Sequence, residues 1–382
     1  ALIQARAMNT TTPHTEYTPP ITTPGHLLAN IPGLLGFFPT ESVLFLAIDT
    51  TPRGPAMGPL ARVDIDQAQD ALPDIAATLT EHAREGVFAF VVSHRPLTEL
   101  REVATWLYGL NYSRDGVDVD AAWHVNEISQ GEPYILLHGA VSTDGSGPMK
   151  KWVEGAIPPL TSAPTMRSCV DHNVVPELSR EDFFAVFTRR NPHIDQLEAE
   201  VMARQARHHA TALRARVAAA DPQERTVLVD DFLADARWQL NRAASPEEAE
   251  ADADLLAACA VWLSTTWTRD LVVAECAASG DRAASLLLAA ARTFDGEIRA
   301  NALTLFAVAQ LELDWEILAG PALMLVTEEF PSHRLGSLLC QAYRHGLHER
   351  IRDTVATGAR AAYETAVGAS DAPSEPSRRA AG

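Results

Sequence analysis

The stretch His26 to Asp66, HLLANIPGLLGFFPTESVLFLAIDTTPRGPAMGPLARVDID, decides the fold of the first half of this chain. It reads as an apolar helix, a Gly36-Phe37-Phe38-Pro39 corner and a β-hairpin pairing Ser42–Asp49 with Gly58–Ile65. The connection is too short for parallel strands, which need a crossover of a dozen residues or more, so the pair is antiparallel. Alternate residues of a strand share a face, which puts Arg62 and Asp64 side by side at the end of an otherwise apolar hairpin. Glu41 and Ser42 stand on the neighbouring strand, and Gly54 and Gly58 loosen the loop. Glu41, Ser42, Arg62 and Asp64 are therefore the candidate ligand-binding residues, able to hold an anionic group or orient a partner. The plainer alternative is an ion pair where a strand meets solvent.

Working outward, a helix is expected from Pro24 to about Leu35. Downstream, Ala68, Ala71, Leu72, Ile75 and Leu79 give one apolar face to a helix over Asp66–Arg84. A strand over Val87–Ser93, a helix over Leu97–Tyr108 and strands near Val117–Ile128 and Tyr134–Gly139 follow. Strand, helix, strand at this spacing favours parallel pairs covered by helices, and with the hairpin the expectation is a mixed sheet. The resulting α/β domain spans 21–178 and ends in an irregular arm over 142–178, rich in Gly and Pro.

Ser179, with Asp182 three positions on, reads as an N-cap, and 179–367 forms an all-α domain. Its helices are expected at 180–190, 194–220, 222–242, 246–264, 268–279, 281–294, 296–311, 315–328, 331–346 and 348–367. Leu303, Phe306, Ala307, Ala319, Leu323, Val326 and Pro331 fall on the spacing of a tetratricopeptide helix pair, so this half reads as a short array of helical hairpins. The tails, 1–20 and 368–382, are too polar to bury surface and are expected to be disordered. Met8 reads as the natural start, with Ala1 to Ala7 an expression remnant or an upstream extension.

A net charge of −19 and only two lysines, Lys150 and Lys151, make nucleic acid an unlikely partner. Cys169, Cys259, Cys276 and Cys340 are widely separated, without a C-x-x-C pair, so neither a disulfide framework nor a metal is expected. No signal peptide or membrane span is recognisable, and the reading is a cytoplasmic protein without a cofactor.

Other motifs resolve to ordinary structure. Asp230, Asp231 and Asp235 have the D-D-x-x-x-D spacing of diphosphate–Mg²⁺ sites, but no second motif accompanies them. Gly139 to Lys151 lacks phosphate-loop spacing, and Gly145-Ser146-Gly147 lacks the frame of a nucleophile elbow. His124 and Glu127 on one strand would face opposite ways. Arg204, Arg207, His208, His209, Arg214 and Arg216 form a basic stripe that reads as a solvated face. Trp238, Trp262, Trp267 and Trp315 read as core.

Pro32, Leu34, Leu35, Gly36, Phe37, Pro39 and Ser42, followed by Arg62-Val63-Asp64 and later by Pro331, resemble an actinobacterial domain-of-unknown-function family, number 4192. The resemblance covers most of residues 25–350 and implies a family but no chemistry. Members of that family carry a Cys-rich segment after the later strand. Here Val141-Ser142-Thr143-Asp144-Gly145 stands instead, a departure that weakens any metal or redox role for that position.

No nucleophile–base constellation is present, so the sequence favours a non-enzymatic interaction protein or scaffold whose helical region binds a protein partner, with homo-oligomerisation open. The alternative is a small-molecule sensor or enzyme using the α/β domain near Arg62 and Asp64.

Overall fold

Val43, Phe45 and Ala47 alternate with Leu44 and Leu46 along one strand, and all five are buried. A strand apolar on both faces must be covered on both faces, which makes it an interior strand. In the computed structural model it is the third of seven. The structure describes residues 3–6, 23–51, 54–80, 86–110, 117–139, 150–171, 174–313 and 317–368. The chain divides into two compact units, Ala1–Val186 with Arg344–Gly346, and Phe187–Tyr343 with Leu347–Gly382.

The strands of the first unit are β1 (Ile3–Arg6), β2 (Ser42–Thr51), β3 (Gly54–Asp64), β4 (Gly86–Val92), β5 (Ala121–Val125), β6 (Pro133–Gly139) and β7 (Glu154–Ala156). They lie in the order β1-β3-β2-β4-β5-β6-β7. Only β4 and β5 are parallel; every other pair is antiparallel. The sheet is mixed, as expected, with a single parallel pair. Of the tail expected to be disordered, Ile3–Arg6 pairs with β3 and the rest lies outside the described residues. The tail after Gly368 also lies outside them.

Helices of this unit are α1 (Pro24–Leu35), α2 (Leu72–Thr80), α3 (Leu97–Leu110), α4 (Lys150–Val153), α5 (Pro164–Asp171) and α6 (Arg180–Ala185). The face of Val43, Phe45, Ala61, Val63, Ala89 and Val91 packs with Ile75 and Leu79 of α2 and Leu100 and Leu107 of α3. The helix expected from Asp66 opens instead as a 3₁₀ turn, Ile65–Gln67, and α2 begins at Leu72. Pro73, which has no N–H to give, is tolerated in a first turn. On the opposite face Phe90 stacks on Trp123 with centroids 5.4 Å apart, and Trp123 donates to the Trp152 carbonyl at 2.7 Å.

Within the 142–178 arm, the described residues 150–171 and 174–178 are more ordered than their composition suggests. Its β7 adds to β6, Pro164 opens α5, and Glu177 bridges to Phe37. α5 is clamped on α1. Asn30 Oδ1 accepts from Thr165 N at 3.2 Å, and Thr165 Oγ1 donates to the Asn30 carbonyl at 2.8 Å. The division between units falls at Val186/Phe187, past the 178/179 boundary read from sequence. In α6 Phe183 lies 5.6 Å from the Phe37 ring, which holds that helix to the first unit.

The second unit is built from α7 (Gln196–Ala219), α8 (Pro222–Leu240), α9 (Pro246–Ala251), α10 (Ala253–Leu263), α11 (Thr266–Thr293), α12 (Gly296–Glu312), α13 (Ala319–Glu329), α14 (Arg334–Arg344) and α15 (His348–Gly368). The helix expected over 246–264 breaks at Asp252, which leaves helical geometry and caps α10 by accepting from Leu255 N. α11 is continuous in name but kinks at Gly280 (φ 47°, ψ −117°), where the sequence separates two helices. Leu303, Phe306, Ala307, Ala319, Leu323 and Val326 are all buried in α12 and α13, and Pro331 lies in the exposed connection.

Two buried polar side chains organise this unit. Arg299 grips Glu329 through two contacts, 2.6 and 2.7 Å, and gives Nη1 to the Phe187 and Ala291 carbonyls. Asn301 donates to the Leu263 carbonyl, and its Oδ1 faces Arg269 Nη1 at 3.0 Å and His333 Nε2 at 2.9 Å. Gly336 N donates to His333 Nδ1, so the proton of the neutral ring sits on Nε2 and is donated to Asn301. Burial, reinforced by the Arg269 charge, pushes the His333 pKa down to about 4.

Two outcomes are expected. A Cβ at Gly33 would lie 2.7 Å from the Thr165 backbone carbon. Gly33→Ala should therefore destabilise the first unit, the overpacking cost of about 1–3 kcal/mol outweighing a helix-propensity gain of about 1 kcal/mol. A denaturation midpoint equal to or above wild type would contradict the close α1–α5 contact. For His333, the unfolded chain takes up a proton near pH 6.5 while the folded chain does not until about pH 4. Stability of the helical unit should fall as pH drops through that window, by about 1–2 kcal/mol once the shift is discounted for the partial solvent exposure of the ring, and His333→Gln should flatten the slope. Urea melts at pH 7, 5.5 and 4.5 measure it.

Candidate functional site

The hairpin end is built by register. Ser42 pairs with Asp64 and Leu44 with Arg62, so Ser42, Arg62 and Asp64 project from one face of β2 and β3. Arg62 is 4% exposed. Its Nε donates to Ser42 Oγ at 2.9 Å, and its Nη2 meets Asp64 Oδ1 at 2.7 Å and the Thr40 carbonyl at 3.4 Å. Ser42 Oγ in turn donates to the Thr40 carbonyl at 2.6 Å. One guanidinium thus ties both strands to the corner that precedes them. Burial lowers the Arg62 pKa, the Asp64 carboxylate opposes that, and the nearby Arg180 charge adds to the lowering.

Arg62 Nη1 is buried and has no hydrogen-bond partner among the described residues. A buried donor left unpaired forfeits about 1–3 kcal/mol, so such groups in a native protein call for an explanation.

Glu41 does not join this cluster. Its carboxylate turns to the end of β4, accepting from Ser93 Oγ at 2.9 Å and from His94 N at 3.0 Å and pairing with Arg95 Nε at 2.8 Å. Arg95 also grips Asp66 through two contacts, which depresses the Asp66 pKa and raises that of Arg95. The four residues grouped from sequence therefore form two adjoining networks. Ser93, fully buried, belongs to the second and also offers its carbonyl to His124 Nε2 at 2.9 Å. The Ser93-His94-Arg95-Pro96 run at a strand end was the signal for it.

Glu41 holds φ at 43°, the only non-glycine residue with positive φ among the described residues. Left-handed geometry costs a side-chain-bearing residue about 1–2 kcal/mol, and strain of this kind gathers at functional sites.

In the helical unit, an open cavity of about 410 Å³ is lined by Arg189, Gln196, Glu200, Arg204, Asp295 and Gly296, among others. Arg189 closes one side through a 2.6 Å pair with Asp295. On the next stripe of α7, Leu197 is 67% exposed and Val201 lies beside it one turn on. Trp238 is also exposed, at 59%, with the Arg242 guanidinium 5.1 Å from its ring, which corrects its expected place in the core. It sits at position i+11 from exposed Val227, on one face of α8. Trp262 is core, Trp267 is half-buried, and Trp315 lies outside the described residues.

The remaining motifs behave as ordinary structure. Asp230, Asp231 and Asp235 are exposed on α8, with Asp230 accepting from Tyr363 Oη at 2.9 Å. The basic residues of α7 face solvent. Glu127 lies past the end of β5 and accepts from Ser129 Oγ. Most of Gly139 to Lys151 lies outside the described residues. The four cysteines are free and buried; burial raises the Cys169 thiol to about 11 and Cys276 to about 12, which makes them inert packing groups. Among the described residues, no three His, Cys, Asp or Glu are grouped to hold a metal, and no helix is long and apolar enough to cross a membrane.

A mixed sheet with a corner-anchored hairpin, followed by a helical unit, defines an α/β-plus-α protein. The chain belongs to the family described as Domain of unknown function (DUF4192), whose profile matches residues 24–350. No curated protein and no solved structure matches it.

At the left-handed backbone of Glu41, Glu41→Gly and Glu41→Ala lose the same carboxylate contacts but differ in strain. The glycine variant should be the more stable by about 1 kcal/mol. Equal melts, or an advantage for alanine, would refute it.

Proposed function

We propose that this protein is a non-enzymatic binding protein whose tetratricopeptide-like helical unit captures a segment of a protein partner in the cytoplasm. The observation that carries the reading is the pairing of an open groove with exposed apolar side chains. Leu197 and Val201 flank the groove on the first turns of α7, and Val227 and Trp238 share a face of α8. Exposed large apolar groups at helical spacing suit an amphipathic segment laid along a helical surface, and Trp is the residue type that dominates such contacts. The lining is mixed in sign, with Arg189 and Arg204 facing Glu200 and Asp295, which suits a segment carrying both charges.

A second reading, a small-molecule site on the α/β unit, is favoured by the unpaired Arg62 Nη1 and the strained Glu41.

Photo-crosslinking residues placed at 197, 201 or 238 in the full chain should capture the same protein partner. One placed at His209, exposed but turned about 100° round α7 from Leu197 and Val201, should not. Crosslinks from none of the first three, or equally from position 209, would reject the helical surface as the binding face.

A further inference from the structure

The Arg62 corner has a second incomplete cation. Arg180, first residue of α6, stacks its guanidinium 4.7 Å above the Phe184 ring, and its Nε is buried without a hydrogen-bond partner. Its position is fixed by the strap that precedes it. Phe38 N donates to the Glu177 carbonyl at 2.9 Å, Glu177 N to the Gly36 carbonyl at 2.8 Å, and Phe183 packs on Phe37. These contacts hold the start of α6 beside the Thr40–Ser42 corner that Arg62 anchors. The two cations are near enough for Arg180 to disfavour the charged form of Arg62.

We propose that Arg62 Nη1 and Arg180 Nε form the donor set of an oxyanion site on the α/β unit, taking the phosphate or carboxylate group of a small molecule. This deepens the second reading above and rests on it; it does not depend on the helical surface. Both atoms belong to guanidinium groups, which stay charged and present planar donors matched to oxyanion geometry. Arg62 gives Nε to Ser42 and Nη2 to Asp64, so Nη1 is the one donor of that guanidinium left without a partner among the described residues. A water could satisfy one donor, but only an anion also relieves the repulsion between the two cations. Asp64 and Glu181 bear on the same corner with negative charge. They favour a singly charged group over a multiply charged one, and they keep affinity modest.

The test titrates the full-length protein with inorganic phosphate and with acetate, each against sodium chloride of equal ionic strength, reading the thermal midpoint and the heat of binding. At least one oxyanion should raise the midpoint saturably where chloride does not. Arg180→Gln, which gives up the stacking on Phe184 but no hydrogen bond or ion pair among the described residues, should still fold and weaken that binding at least tenfold. Arg62→Met should do the same where it folds, and the Arg180 variant decides the matter where it does not. A response no greater than chloride gives, or one untouched by Arg180→Gln, overturns the site. No protein partner enters the assay, so its failure would leave the helical reading standing.

Discussion

A guanidinium buried at the end of a hairpin must be held, and holding it fixes much of the α/β unit. Arg62 reaches back across β2 to Ser42 and Thr40, so the corner between α1 and the sheet, β2 and β3 meet at one side chain. The corner sets where Gly36 to Phe38 lie, and those residues receive the Glu177 strap and the α6 helix. Asp64 remains half in water, so the pair escapes most of the desolvation that makes buried ion pairs costly.

The helical unit uses the same device with fuller satisfaction. Arg299 meets a bidentate carboxylate and two carbonyls, which joins the ends of α11 and α13 to the start of the unit. Asn301 and His333 close a neighbouring junction, where burial keeps the imidazole neutral. Polar groups this deep select one packing among the many that an alanine- and leucine-rich helix surface allows. The contrast is informative: every Arg299 nitrogen has a partner, whereas Arg62 keeps one in reserve.

Much of this was legible in the chain because it rests on local pattern. The hairpin follows from alternation between Ser42 and Asp64, and the start of α6 follows from Ser179, which caps that helix with its side chain. The Arg62–Asp64 pair follows from strand period. What was illegible depends on contacts distant in sequence. Asn30 meets Thr165 and Phe37 meets Glu177, so an arm that reads as irregular from its prolines is ordered by α1 and the corner. Glu41 adjoins Ser42 in sequence yet turns to Ser93, because its left-handed backbone sends the side chain to the neighbouring strand end. Trp238 reads as core by residue type, and only the packing of α8 shows it facing solvent.

The anchoring role of Arg62 is tested most directly by the ¹⁵N signals of its side chain in the full-length protein. A guanidinium held by Ser42, Thr40 and Asp64 rotates slowly about its Nε–Cζ bond, so separate Nη1 and Nη2 resonances are expected for Arg62, with Nε protected from exchange. A single averaged signal, like that of an arginine free in solvent, would contradict the account.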